Sequence, residues 1–333
     1  MKGEKEMEPI IKEQFGKIKF GGLQVHGHVA VIPIISTNGS GPDYMTMKEA
    51  MEAHLLTVTE VTEGGQVPEL KVINRADKPV LLLDGEELSG AKQNRVLNTT
   101  ILLKELSETV IPVSCTEQGR WTYRTPHFED SGHIMSAKLR GAKNLDVHES
   151  LKSSGAFESN QSRIWADLSV QARMHKVSSA TGAMKDVLDA KRQDLDEFLE
   201  HLPLVDAQNG FLVLVNGEVV GLDMISKVAA FRTLHPKLIR SYVMDALTEK
   251  PAKGTKTPAE KADAFLKKII ECREQRYDSI GHGQDYRYEG NRIVGSALLH
   301  DGAIIHMAFF QVTETERAGR MAPASRRRGY RTQ

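Results

Sequence analysis

From residue 22 onward the chain reads as a series of short apolar or alternating runs. GLQVHGHVAVIPII (22–35) alternates and then saturates with apolar residues, and LLTVTEV (55–61), LKVIN (70–74), KPVLLLDG (78–85), NTTILL (98–103) and TVIPVSC (109–115) follow, with turn chemistry between them. Short strands at this spacing predict a sandwich or barrel-like sheet. Near residue 160 the character changes. In SATGAMKDVLDAKRQDLDEFLEHL (179–202), apolar positions 184, 187, 188, 195, 198 and 199 fall on one stripe of an amphipathic helix. FLVLVNGEVVGLDM (211–224) then predicts a hairpin turned at Asn216-Gly217, and a helical stretch from about 224 to 248 follows, restarted at Pro236. Thr257-Pro258-Ala259-Glu260 supplies a capping box with proline at the first helical position, opening a helix through about 276. RIVGSALLHDGAIIHMAFF (292–310) predicts a second hairpin at Asp301-Gly302.

The pattern predicts an α+β protein in which a β-sandwich- or barrel-like N-terminal half packs with a helix-and-hairpin C-terminal half. We divide it into a β-rich subdomain (1–150), an α+β subdomain that can share its core (151–316), and a basic disordered tail (317–333). With 333 residues, 40% apolar and 26% charged, the bulk has ordinary globular composition. The net charge of zero conceals an asymmetry: the tail carries six arginines and no acid, which leaves the body with 38 basic against 44 acidic residues. Such a tail predicts weak, salt-sensitive contact with nucleic acid. No apolar run reaches the roughly 18 residues of a membrane helix, and the start MKGEKEMEPIIKEQ lacks a signal peptide's apolar stretch, so a cytoplasmic protein with no membrane contact is expected. Cys115 and Cys272 form neither a disulfide framework nor a metal pattern.

Candidate chemistry concentrates in LLLDGEELSGAKQNRVLNTTILL (81–103), where acids, amides and a guanidinium interrupt two runs that read as buried strands. If IPVSCTEQGRW (111–121) is one strand, Ile111, Val113, Cys115, Glu117 and Trp121 share a face, and Glu117 then needs a partner because an isolated buried charge is costly. Arg95 is the natural partner for a buried acid, since its planar fork holds a carboxylate or phosphate bidentately. These residues predict a polar pocket lined by Glu86, Gln93, Arg95, Asn98, Glu117 and Arg120, with Trp121 as floor or wall. Arg95 and Arg120 would hold anionic groups, Gln93 and Asn98 would read hydroxyls or a base edge, and Trp121 would stack. Glu86 or Glu117 would be the general acid or base. Carboxylate, guanidinium and amide together suit a phosphorylated small molecule with hydroxyls, such as a nucleotide or sugar phosphate; the residues name no cofactor. The competing expectation is an internal ion-pair network that pins a long β loop. His127, Glu129, Asp130 and His133 lack the spacing of a zinc site, so no metal is predicted there, and Cys115 reads as a small core residue.

DGEELSGAKQNRVLNTTILL and IPVSCTEQGRW, together with VNGEVVGLDMISKVAAFRTLHPKLIRSYVMDAL and GQDYRYEGNRIVGSALLHDGAIIH, resemble the ARG-and-Rhodanese-Phosphatase-superfamily-Associated Protein family, a largely uncharacterised prokaryotic group. The resemblance spans most of residues 20–311. It implies work near ADP-ribose, nucleotide or RNA-end metabolism: binding, hydrolysis or transfer of such a ligand, or alternatively a non-catalytic sensor or scaffold for partner enzymes. The matching positions are Asp84, Gly85, Glu86, Gly90, Gln93, Asn94, Arg95 and Asn98 in the first block and Cys115, Glu117, Gly119, Arg120 and Trp121 in the second. Asp223, Arg240, Tyr242, Asp285, Arg287 and His306 are the later matches. Asp223 also reads as a helix N-terminal acid.

Overall fold

In a computed structural model, which describes residues 7–36, 41–62, 68–251 and 257–313, the chain is α+β. The basic tail lies outside the described residues, as does most of the segment before Thr257. Six strands close into a barrel in the order Ser107–Cys115, Glu69–Asn74, Leu56–Glu60, Phe128–Ile134, Glu86–Gly90 and Arg95–Leu97. Their alternation sends Leu56, Val58, Leu70, Val72, Leu88, Leu97, Ile111 and Val113 into one apolar core. The Ser107–Cys115 strand changes partner along its length: Ser107 to Pro112 pair with Glu69–Asn74, and Val113 to Cys115 pair with Arg95–Leu97. It ends at Cys115, so the alternation that would have put Glu117 and Trp121 on its inner face stops short of both.

Met45–Thr46, Val80–Leu82 and Ile101–Leu103 form a small three-stranded sheet, and nine further strands form a sheet in which every adjacent pair is antiparallel. Val29–Ile35 lies in it beside Gly210–Val215, so the first half of the chain supplies strands to both barrel and sheet. Asn216-Gly217 and Asp301-Gly302 turn the two expected hairpins, all four residues having φ between 49° and 72°. The helices Pro9–Lys17 and Pro258–Ile270 add Ile11, Phe15, Phe265 and Ile269 to the core on one face of the sheet, and Val228–Ala246 adds Phe231, Leu234 and Leu238 to the core on the other.

Several boundaries differ from expectation. The last helix ends at Ile270, and Arg273–Asp278 is instead an edge strand paired to Gln284–Gly290. Thr257 makes no side-chain cap, so Pro258 alone marks that start. The stripe at 184–199 is shared by two helices, Met184–Ala190 and Arg192–His201, and Val228–Ala246 runs unbroken through Pro236. The helices Ala137–Ser154 and Gln161–Met174 carry no corresponding expectation.

The Ala137–Ser154 helix joins barrel to sheet through buried charge. Arg140 donates bidentately to Asp223 at 2.9 and 2.8 Å, and Asp223 also accepts from Tyr242 Oη at 2.7 Å and meets His306 Nε2 at 3.1 Å. His306 Nδ1 reaches Thr100 Oγ1 at 2.8 Å. One helical turn on, Lys143 Nζ contacts the Asp84 carboxylate and donates to the carbonyls of Leu97 (2.9 Å) and Asn98 (3.0 Å). Arg287 grips Asp285 and Thr99 beside them. Gly85, at φ +86°, keeps the space clear: a Cβ there would stand 2.9 Å from Arg140 Cδ. Asp223 thus lies inside the Glu218–Ile225 strand and caps no helix. Burial alone would raise its carboxyl, but Arg140 and His306 outweigh it and hold it at about 2. Its contribution to stability is therefore present above 3.8 and lost as pH falls toward about 2. Arg140→Ala, which strands Asp223, is expected to cost about 3–5 kcal/mol in urea unfolding. Lys17→Ala, which breaks an exposed pair with Glu13 at 3.5 Å, should cost less than about 1 kcal/mol.

Candidate functional site

One end of the barrel is polar. Along Leu56–Glu60 the inward positions are Leu56, Val58 and Glu60, and Arg95 faces Cys115 in register across the neighbouring strands. Arg95 is fully buried, with Nη2 3.7 Å from Glu60 Oε1. That distance makes an ion pair but no hydrogen bond. Arg95 Nη1 donates to the Gln93 carbonyl at 3.1 Å and to Gln93 Oε1 at 3.2 Å. Arg95 Nε and Nη2 and both Glu60 oxygens have no hydrogen-bond partner among the described residues. Buried charge left in this condition is costly, which sets these four atoms apart from the matched groups nearby.

Over this end lies an open aromatic surface. Trp121 is 46% and Tyr123 52% exposed. The Arg95 guanidinium sits 5.9 Å from the Trp121 ring centre, and Lys92 Nζ lies 5.5 Å from Trp121 and 5.1 Å from Tyr123.

A closed clamp holds the aromatic segment in place. Arg120 donates to Glu117 Oε2 (2.6 Å), Asn94 Oδ1 (3.2 Å) and the carbonyls of Gly90, Ala91 and Thr122. Glu117 also accepts from the Asn94 backbone and from Thr181 Oγ1. Burial would raise the Glu117 carboxyl, yet Arg120 and Thr181 bring it below the ordinary carboxylate range. Both its oxygens are engaged, and the guanidinium of Arg120 is spent on the same clamp. Gly90, at φ +121°, permits the close approach, because a Cβ would stand 2.4 Å from Thr125 Oγ1.

The other sequence-derived candidates lie elsewhere. Asn98 donates to the Phe157 carbonyl and accepts from Ser114. Asp84, Asp223, Asp285, Arg287 and His306 lie buried in the joint described above. Glu86 meets Lys237 Nζ at 2.9 Å, and Arg240 pairs with Asp196 at 2.7 Å. The seven expected pocket residues therefore do not line one cavity: Gln93, Arg95 and Trp121 meet at the barrel mouth, Glu117 and Arg120 close on each other beside it, and Glu86 and Asn98 point away. Glu60 and Lys237 were not anticipated, although the alternation of LTVTE already places Glu60 inward.

Residues 17–310 match the model of the ARG and Rhodanese-Phosphatase-superfamily-associated Protein domain. The chain belongs to that family. No curated protein and no solved structure matches it. The span shared with the ARG and Rhodanese-Phosphatase-superfamily-associated Protein domain takes in the whole barrel and nearly all of the sheet. Among the described residues no group of His, Cys, Asp and Glu is arranged to hold a metal ion, and no helix is long and apolar enough to cross a membrane. Burial pushes the Cys115 thiol up to about 11, leaving it a core side chain at neutral pH.

Glu87, on the opposite face of its strand from Glu86, accepts from Thr116 Oγ1 at 2.6 Å. Burial outweighs that bond and raises its carboxyl from 4.5 to about 7. The stabilisation it gives is complete below 4.5 and lost as pH rises through about 7. Glu87→Gln is expected to remove this dependence, so that its stability relative to the parent rises by of order 3 kcal/mol between acid and mildly alkaline pH in urea unfolding.

Proposed function

We propose that the barrel mouth binds a phosphorylated nucleotide-like ligand, of which ADP-ribose is the representative. The observation that carries this reading is the buried Arg95–Glu60 pair, 3.7 Å apart and short of hydrogen bonds, beneath an exposed indole. Trp121 and Tyr123 stack the base, a contact worth about 1–3 kcal/mol. Arg95 and Lys92 hold the phosphates, and Gln93 and Glu60 take ribose hydroxyls. The resemblance noted from the sequence supports the same ligand class, because the two blocks that carry it meet at this mouth through Gln93, Arg95 and Trp121.

Turnover is a separate matter. Hydrolysis or transfer at a phosphoribosyl centre uses paired acid and base. With Glu117 engaged on both oxygens, Glu60 is the carboxylate left to serve the mouth. That favours a binding or sensing role over hydrolysis.

The test is a thermal-shift and calorimetric screen against ADP-ribose, NAD, nucleotides and sugar phosphates. A saturable shift with one of the base-bearing compounds is expected. Trp121→Ala should weaken it by about 1–3 kcal/mol without lowering the unliganded Tm, because Trp121 is exposed. Glu60→Gln should abolish turnover if there is any, and a sensor would show none to lose. A screen in which no base-bearing compound shifts the protein refutes the reading.

A further inference from the structure

A separate cleft of about 680 Å³ opens on the side of the barrel, within the size range of small-molecule sites. Strand pairing explains its position. Phe128–Ile134 pairs with Leu56–Glu60 in register only at Phe128 and Val58, and its pairing with Glu86–Gly90 is interrupted by a bulge between Asp130 and Ile134, with Gly132 at φ +79°. The barrel wall parts there, and the helices Met47–Glu52, Arg192–His201 and Val228–Ala246 bound the gap.

Asp130 and Lys237 line the floor, and Lys237 also pairs with Glu86, which is fully buried and does not line it. Lys237 Nζ donates to both Asp130 oxygens at 2.7 Å and to Glu86 Oε1 at 2.9 Å, while Glu86 Oε2 accepts from the Leu83 backbone at 2.9 Å. Burial opposes the charge on Lys237, but Glu86 and Asp130 outweigh it and keep the ammonium protonated; burial and the nearby Asp130 push the Glu86 carboxyl up. The rim is cationic. Arg192, Arg240 and Lys48 line it together with Glu52 and Glu129, and they pair with Asp189, Asp196 and Glu52 in partly exposed contacts. Such pairs are worth little and yield readily to a phosphate.

The lining also limits the guest. Phe128 is its one phenyl, phenol or indole ring among the described residues, and it is buried, so no such platform for a base is offered. Hydroxyl-matching groups are present instead: Asp130, Ser131, Thr57 and Thr233.

We propose that this cleft is a second ligand site, independent of the barrel mouth, and that it takes a small sugar phosphate. The sugar hydroxyls meet Asp130 and Lys237 on the floor, and the phosphate meets Arg192 and Arg240 at the rim. Calorimetric titration of the full chain with ribose 5-phosphate tests it, with ribose and inorganic phosphate as separate probes. Saturable binding of ribose 5-phosphate is expected, with each half-molecule at least about tenfold weaker. Thr233→Trp, which fills the cleft, and Asp130→Asn should each weaken it about tenfold or more, and Trp121→Ala should leave it unchanged. If Thr233→Trp proves poorly folded, Arg240→Ala, which loses only a partly exposed pair, replaces it and should show the same weakening. No binding to the parent chain overturns the proposal, as does binding that survives both cleft variants or inorganic phosphate binding as tightly as the ester. Loss confined to Trp121→Ala would place the sugar phosphate at the mouth and overturn this proposal while leaving the first reading intact.

Discussion

The bidentate contact between Arg140 and Asp223 is the constraint around which the two halves of the molecule are arranged. Asp223 belongs to the large sheet, Arg140 to a helix that leaves the barrel, and neither is accessible to water. A buried ion pair is poor evidence of net stability, because desolvation consumes most of its Coulombic gain. Its consequence here is register. Once Arg140 is committed to Asp223, Lys143 reaches Asp84 and two barrel carbonyls, and His306 reaches Thr100. Barrel and sheet are thereby tied together at several buried polar contacts.

The same accounting separates structural charge from available charge. Around Glu117 and Arg120 nearly every donor and acceptor is matched, and that clamp fixes the segment that presents Trp121 and Tyr123. One strand away, Arg95 and Glu60 are equally buried but incompletely bonded. The two clusters thus differ in how fully their buried polar atoms are matched. Of the two expectations raised by the polar loop, the internal ion-pair network is present at Glu117 and Arg120.

The cleft follows from a different defect. A barrel strand that keeps a single residue pair with its neighbour leaves the wall incomplete, and the helix Val228–Ala246 covers the gap without filling it. Lys237, projecting from that helix, pairs with Asp130 at the cleft and with the buried Glu86 behind it. Mouth and cleft therefore share the barrel but differ in their surfaces: exposed Trp121 and Tyr123 lie at the mouth, whereas the one such ring among the described residues lining the cleft, Phe128, is buried.

The sequence by itself determined the features set by near neighbours along the chain. Alternation in LTVTE, LKVIN and TVIPVSC predicts strands that do close into a barrel, and Asn216-Gly217 and Asp301-Gly302 turn the hairpins as their backbone preferences require. The nearness of Gln93 and Arg95 was legible too, because they stand two positions apart in the chain. The Ala137–Ser154 helix was not, since Arg140, Lys143, Asn144, Asp146 and His148 are buried among its apolar residues and erase the periodic stripe. Nor could residue types say which charges would be spent on each other. Glu86 meets Lys237 across 151 positions, and Glu60 meets Arg95 only after six strands have closed. Period and turn chemistry are written locally, whereas the pairing of buried charge is decided by which strands and helices come together, and only the tertiary structure settles that.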